Sequence, residues 1–171
     1  VAVVPWVRNE RSAVAGLKTT SYAENVVALD RAHALHSSEA VFANSAGQLC
    51  EGTGSNIFVV VGSELLTPTL ASGCLAGITR EVVIDLLPGR GIPFREEPLR
   101  LDDLVGADEA FLTSTTREVV PVRQVDDTPV GSGRPGPLTR RVMEAFRAYA
   151  PSHCGQATLT AAASPFARTT G

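Results

Sequence analysis

The sequence predicts an α+β fold. Apolar runs of strand length recur along the chain, three segments show helical spacing instead, and the two kinds do not alternate strictly as a βαβ protein requires. At 171 residues the chain suffices for one domain with a real core and is short for two.

Residues 1–7 read as a strand, stopped by the polar stretch at 8–12. Residues 21–35 follow as a helix, with Val26, Val27, Leu29, Ala32 and Leu35 near helical spacing and Glu24, Asp30 and Arg31 left for water. Residues 39–43 form a short strand, and Asn44-Ser45-Ala46-Gly47 is a turn of residues that tolerate left-handed backbone. Residues 57–61 and 65–67 are expected to pair as a hairpin across Gly62-Ser63. A second helix covers 79–87, entered after Gly77 and stopped at Pro88-Gly89. Residues 92–97 read as a strand and 101–104 as a short helical turn. Residues 110–113 and 119–122 read as paired strands joined by a polar loop. A Gly/Pro/Ser connection at 131–136 leads to the last helix, 138–149, with Val142, Phe146 and Tyr149 on one side. From Pro151 onward small and polar residues dominate without periodicity. The domain is therefore expected to occupy 1–150, and 151–171 to be a disordered tail.

Composition excludes several classes of partner. The chain is 44% hydrophobic and 19% charged, with a net charge of −3, so it has no basic footprint for nucleic acid. No apolar run approaches the roughly 20 residues that a membrane helix needs, and the opening Val1-Ala2-Val3-Val4-Pro5 is too short for a signal-peptide core. A soluble, cytoplasmic protein is expected. Because the chain begins with Val and not Met, a preceding segment is expected to have been lost. Cys50, Cys74 and Cys154 form no CxxC pair and no Cys/His cluster, so reduced thiols are expected, with neither metal nor disulfide. His33, His36 and His153 read as solvated or satisfied, not catalytic.

One lysine stands among the 15 basic residues: Lys18, all others being arginine. Arginine cannot replace lysine where the amine must lose its proton and attack a carbonyl, because guanidinium stays charged. A leftover surface lysine is the competing explanation. Three Gly/Ser/Thr-rich stretches lie at the edges of regular elements. Glu51-Gly52-Thr53-Gly54-Ser55-Asn56 leads into a strand, Gly77-Ile78-Thr79 opens a helix, and Thr113-Ser114-Thr115-Thr116 ends a strand. A helix N-terminus offers free amides and positive partial charge, which suit a phosphate. Taken singly, Thr79 could equally be a cap and the Thr/Ser run a turn.

In order and spacing, Lys18-Thr19-Thr20-Ser21-Tyr22, residues 51–58, Leu75-Ala76-Gly77-Ile78-Thr79-Arg80 and residues 113–122 resemble the fold-type IV (class IV) pyridoxal-phosphate enzymes. That family includes branched-chain and D-amino-acid aminotransferases and aminodeoxychorismate lyases. The resemblance spans about residues 7–149 and implies the family's large C-terminal domain, a mixed sheet or pseudo-barrel flanked by helices. It implies pyridoxal 5'-phosphate as cofactor, with Lys18 forming the Schiff base and moving the proton. Glu51 is implied to pair with the pyridine nitrogen and Tyr22 to contact the ring oxygen. The amides of Ile78 and Thr79 with the hydroxyl of Thr115 are implied to hold the phosphate, and Thr116 to lie near the substrate carboxylate.

The activity implied is transfer of an amino group between an amino acid and a 2-oxo acid. The alternatives are release of pyruvate from aminodeoxychorismate, and a remnant without turnover. A homodimer is implied as well. The family's N-terminal small domain, which supplies an arginine to the phosphate, is expected to be absent, because only 17 residues precede Lys18 and neither Arg8 nor Arg11 sits in a context to replace that arginine. Exposed apolar surface is expected where that domain would pack.

Overall fold

The computed structural model describes residues 1–153, the last three by their helical backbone alone. Three strands make a first sheet: β1 (Ala2–Arg8) runs parallel to β2 (Ala40–Asn44), which pairs antiparallel with β3 (Leu49–Gly52). A second, mixed sheet has the order β6-β5-β4-β7-β8, from β4 (Asn56–Val61), β5 (Glu64–Pro68), β6 (Phe94–Glu97), β7 (Glu109–Ser114) and β8 (Glu118–Val122). Only β5 and β6 are parallel within it. The helices are α1 (Ala23–Ala34), α2 (Ile78–Leu86), the short α3 (Leu101–Val105) and α4 (Pro137–His153), and a ribbon of β9 (Gln124–Val125) and β10 (Thr128–Pro129) precedes α4. The fold is the expected α+β type, mixed sheets flanked by helices.

Strand β4 shows why its sequence is apolar at consecutive positions. Ile57 and Val59 enter a core shared by both sheets, with Val41, Leu49, Leu66 and Leu112. Phe58 and Val60 point the other way, against Val83 and Leu87 near α2 and Val142 of α4. A strand covered on both faces loses the alternation of a half-buried one. Phe58 and Phe111 are register partners on β4 and β7, their rings stacked with centroids 4.9 Å apart. Burying each contributes about 1.5–3 kcal/mol. The same register sets Asn56 opposite Thr113 at the end of the sheet where the cavity lies.

Three local expectations are corrected. Helix α1 buries Ala28 and Ala32, one turn apart, against Ala2, Val4, Ala40 and Phe42 of the first sheet. Its larger Val26 and Val27 are exposed, because alanines allow the helix to approach the sheet closely. Strand β3 occupies residues 49–52, of which the sequence reading leaves 49–50 without an element and gives 51–52 to the polar stretch before β4. With two buried apolar residues, Leu49 and Cys50, it is too short to show a period. Helix α4 begins at Pro137, where its first amides meet a carboxylate: Glu109 accepts from Leu138 N at 3.1 Å and Thr139 N at 2.7 Å. It continues to His153, past the expected end at residue 149. The rest of the expected tail, 154–171, with Cys154, lies outside the described residues.

Candidate active site

A cavity of about 520 Å³ opens where the loop after β1, the β3–β4 turn, the start of α2 and the β7–β8 turn converge. Lys18, Tyr22, Glu51, Ile78, Thr79 and Thr115, the residues singled out from sequence, line it together, although up to 97 positions separate them. Thr116 is exposed and is not among the lining residues.

Lys18 sits on an irregular segment between β1 and α1. Its Nζ donates to the Tyr22 hydroxyl at 2.8 Å and lies 5.5 Å from the centre of that ring. Both side chains are exposed, so the amine meets solvent and any molecule in the cavity. The Lys18-to-Tyr22 spacing folds back here because α1 starts immediately afterwards, at Ala23.

Glu51 projects from β3 with only 16% of its side chain exposed. Burial pushes its carboxyl above the ordinary carboxylate range, against the pull of the Leu75 amide, Arg8 and Lys18. Leu75 N donates to Oε2 at 2.9 Å. Arg8 Nε lies 3.4 Å from Oε1, close enough for charge pairing but without hydrogen-bond geometry. A buried carboxylate with one amide and one offset cation is under-compensated, and a further cation beside it would relieve the cost.

Helix α2 starts with Gly77 at the N-cap and no side-chain cap. Thr79 therefore does not cap the helix, and the first amides, those of Ile78 and Thr79 among them, have no partner within it. Gly77 is required by space: a Cβ there would stand 2.1 Å from Asn56 Oδ1. Asn56 in turn donates from Nδ2 to Leu75 O at 2.6 Å, tying the approach to α2 to the start of β4. Buried Arg80 anchors the same helix through Pro68 O, 3.1 Å away, and Glu96. Facing α2, the β7–β8 turn exposes Thr115 and leaves the buried Thr113 hydroxyl without a partner.

Sequence reasoning missed three contributors. Arg8 was weighed only as a phosphate ligand, yet its guanidinium is committed to Glu51, Glu24 and Asn25 Oδ1, the last at 2.7 Å, and stacks 4.1 Å over Phe42. Asn25 is uncharged and lies inside the segment read as a helix, and Asn56 ends the polar stretch at 51–56 with nothing local to mark its long-range partner at Leu75. Cys50 and Cys74 are buried free thiols, and burial pushes both up, which leaves them poor nucleophiles. Among the described residues no group of three or more His, Cys, Asp or Glu could hold a metal ion, and no helix is long and apolar enough to cross a membrane.

The arrangement sets an amine, a poorly compensated carboxylate and a bare helix N-terminus around one cavity. Residues 1–125 match the family profile described as amino-transferase class IV. The chain is 45% identical over 100 residues to the branched-chain-amino-acid aminotransferase of Escherichia coli (strain K12), covering 58% of this chain and 32% of that protein. It is 37% identical over 131 residues to the D-alanine aminotransferase of Bacillus licheniformis, covering 77% of this chain and 46% of that one. The crystal structure of the E. coli branched-chain enzyme superposes with a TM-score of 0.83 at 35% identity, over 86% of this chain and 50% of that one. The chain thus spans a third to a half of the length of these relatives.

Proposed function

Because the chain belongs to the class IV aminotransferase family, we propose that residues 1–150 are the cofactor-binding part of a pyridoxal-phosphate enzyme that moves an amino group between an amino acid and a 2-oxo acid. The observation that carries this reading is the joint placement of Lys18, Glu51 and the uncapped start of α2 on one cavity. The donor set suits the cofactor part by part. Lys18 supplies an amine for its aldehyde, and buried, under-compensated Glu51 is placed to carry negative charge once a protonated ring nitrogen lies beside it. The amides of Ile78 and Thr79, with Gly77 leaving the backbone bare, supply an anion cradle. Thr115 adds a hydroxyl from the facing turn.

When bound, pyridoxal phosphate supplies the aldehyde that carries the amino group and the ring that accepts the electrons left at the substrate Cα. The residues of this chain bind, orient and move protons around it. Lys18 Nζ takes the Cα proton as base and gives it back on the other side of the transfer as acid. Tyr22, hydrogen-bonded to that nitrogen, aims it. Glu51 would set its charge beside the ring nitrogen, and the α2 amides with Thr115 would hold the phosphate, so that positioning is the main contribution of the fold. Thr116, next to Thr115 on the exposed β7–β8 turn, is our proposed contact for the substrate carboxylate.

Val14, Leu17 and Ile78 are exposed apolar side chains on the cavity lining. They support a reading in which further protein closes over the site, as a homodimer or a second domain would; a cytoplasmic location is part of the same proposal. The test is incubation with pyridoxal phosphate, reduction with borohydride and peptide mapping. A label on the peptide containing Lys18 is expected, and a cofactor recovered elsewhere or not at all ends the proposal. Pyruvate released without a 2-oxo acid acceptor would move the activity to the lyase class.

A further inference from the structure

A second polar cluster in the described residues adjoins the cavity, sharing Thr53 and Ser55 of its lining, and centres on a residue given no role above. Glu39, just before β2, is 1% exposed. Its Oε1 accepts from Ala40 N at 3.2 Å, from Thr53 N at 3.1 Å and from the Thr53 hydroxyl. Its Oε2 accepts from the Ser55 hydroxyl at 3.2 Å and from the Arg117 guanidinium. Five donors from three separate segments thus converge on one buried carboxylate.

A local role does not account for this. Burying a charged pair is costly, and apolar residues of similar volume would serve stability as well or better. What distinguishes the cluster is where its donors come from. Thr53 and Ser55 belong to the β3–β4 turn that follows Glu51, and Arg117 belongs to the β7–β8 turn that carries Thr115. Beyond the Ser114–Glu118 pairing that closes it, that second turn has few contacts of its own. Within it Arg117 N donates to Ser114 Oγ at 3.2 Å, and Glu118 closes it in the left-handed region at φ 57°, a conformation that disfavours a side chain. Arg117 itself keeps 38% of its side chain exposed, so without Glu39 nothing confines it. The cluster continues toward the lysine side, where Asn25 of α1 donates to Thr53 O and accepts from Arg8.

We propose that Glu39 is a positioning residue. Through Arg117 it holds the β7–β8 turn, and through Thr53 and Ser55 the β3–β4 turn, setting the distance between the anion-binding end and the carboxylate end of the site. The proposal rests on the cofactor reading for its ligand, but not for its mechanics. Glu39→Gln replaces one acceptor oxygen with a donor and breaks the charge pairing that confines Arg117. Arg117→Gln frees only the Thr115 turn and leaves Glu39 its other four donors.

The experiment compares binding of pyridoxal phosphate and of pyridoxal, which lacks the phosphate, to the full chain and both variants, alongside amide hydrogen exchange across residues 113–118. In both variants the preference for the phosphorylated compound is expected to fall about tenfold, the size of effect seen when a group that orients a ligand-binding residue is lost. Pyridoxal binding to Arg117→Gln should stay within about twofold of the unaltered chain, and exchange in the turn should accelerate. A merely structural role would lower thermal stability and weaken both compounds equally, and that result overturns the proposal, as does unchanged exchange. If the unaltered chain shows no preference for phosphate, the cofactor reading fails, and the exchange arm still decides whether Glu39 holds the turn. Should Glu39→Gln not fold, Arg117→Gln carries the test alone.

Discussion

The two walls of the cavity are built on different principles. On one, Lys18 lies at the end of a run of short turns in which Ser12 N reaches Asn9 O, Ala15 N reaches Ser12 O and Leu17 N reaches Val14 O, all at 3.0–3.1 Å. The lysine's own hydrogen bond is to a residue four positions on. On the other wall the contacts are long-range and buried: Glu51 meets an amide 24 positions away, and Arg117 reaches Glu39 across 78. The part proposed to react is held locally and left accessible. The parts that only need to be in place are fixed by the whole fold. Chemistry and stability are therefore expected to separate between the walls.

The sharpest break is Lys18→Ala. It should abolish borohydride-fixed pyridoxal phosphate completely while leaving urea unfolding within about 0.5 kcal/mol of the unaltered chain, the usual range for an exposed substitution. A large loss of stability would mean that the lysine wall is part of the frame after all. The opposite wall responds in reverse. Gly77→Ala puts a methyl 2.1 Å from Asn56 Oδ1 and must dislodge the side chain that reaches Leu75 O. It should cost about 1–3 kcal/mol by overpacking and weaken pyridoxal phosphate, with Lys18 untouched. Stability unchanged within a few tenths in denaturant titration would remove Asn56 from the frame.

The same division decides what could be read from the sequence. Lys18, Glu51, Gly77 to Thr79 and Thr115 stand where a lone lysine, a Gly/Ser/Thr-rich stretch or a hydroxyl run is visible without knowing the fold, whereas Tyr22 and the role of each residue come from the family resemblance. Glu39 was visible only as the first residue of a short strand, because nothing local indicates that Arg117 will arrive beside it. Arg8 was considered for one anion and serves another. The helical spacing of α1 was legible and included Ala32, but the choice of face was not: Val26, Val27 and Leu35 are exposed, whereas the close approach to β1 and β2 selects Ala28 beside Ala32. Long-range partners are what a single sequence conceals, and they are the material of the rigid wall.

Glu51 offers a pH-resolved test of that wall. Burial raises its carboxyl above the value it has in the unfolded chain, so the folded state favours the protonated form. Its contribution to stability is present at pH below the unfolded value and is lost as pH rises through the folded one. Without cofactor, Glu51→Gln should then gain in Tm relative to the unaltered chain as pH climbs from the acid range to neutral, while losing affinity for pyridoxal phosphate. A Tm difference flat across that window would show that Arg8 and the Leu75 amide already compensate the charge, and that the carboxylate is no reservoir of strain for a ligand to relieve.

The smallest effect is expected at Tyr22, which belongs to the local wall although its ring lines the cavity. Tyr22→Phe keeps the ring beneath Lys18 Nζ and removes only the hydroxyl 2.8 Å from it. The net worth of such a hydrogen bond is about 0.5–1.5 kcal/mol, at the low end where both partners meet water. By the relation of about 1.4 kcal/mol per tenfold in rate, the capture of pyridoxal phosphate by Lys18 should slow a few-fold and no more than about tenfold. The unfolding midpoint should barely move. Stopped-flow absorbance during cofactor capture measures the first, and denaturant titration the second. Slowing beyond about a hundredfold with unchanged stability would show that the hydroxyl aims the amine far more tightly than one exposed hydrogen bond can. The lysine wall would then be preorganised like its counterpart, and the contrast between the two would rest on burial alone.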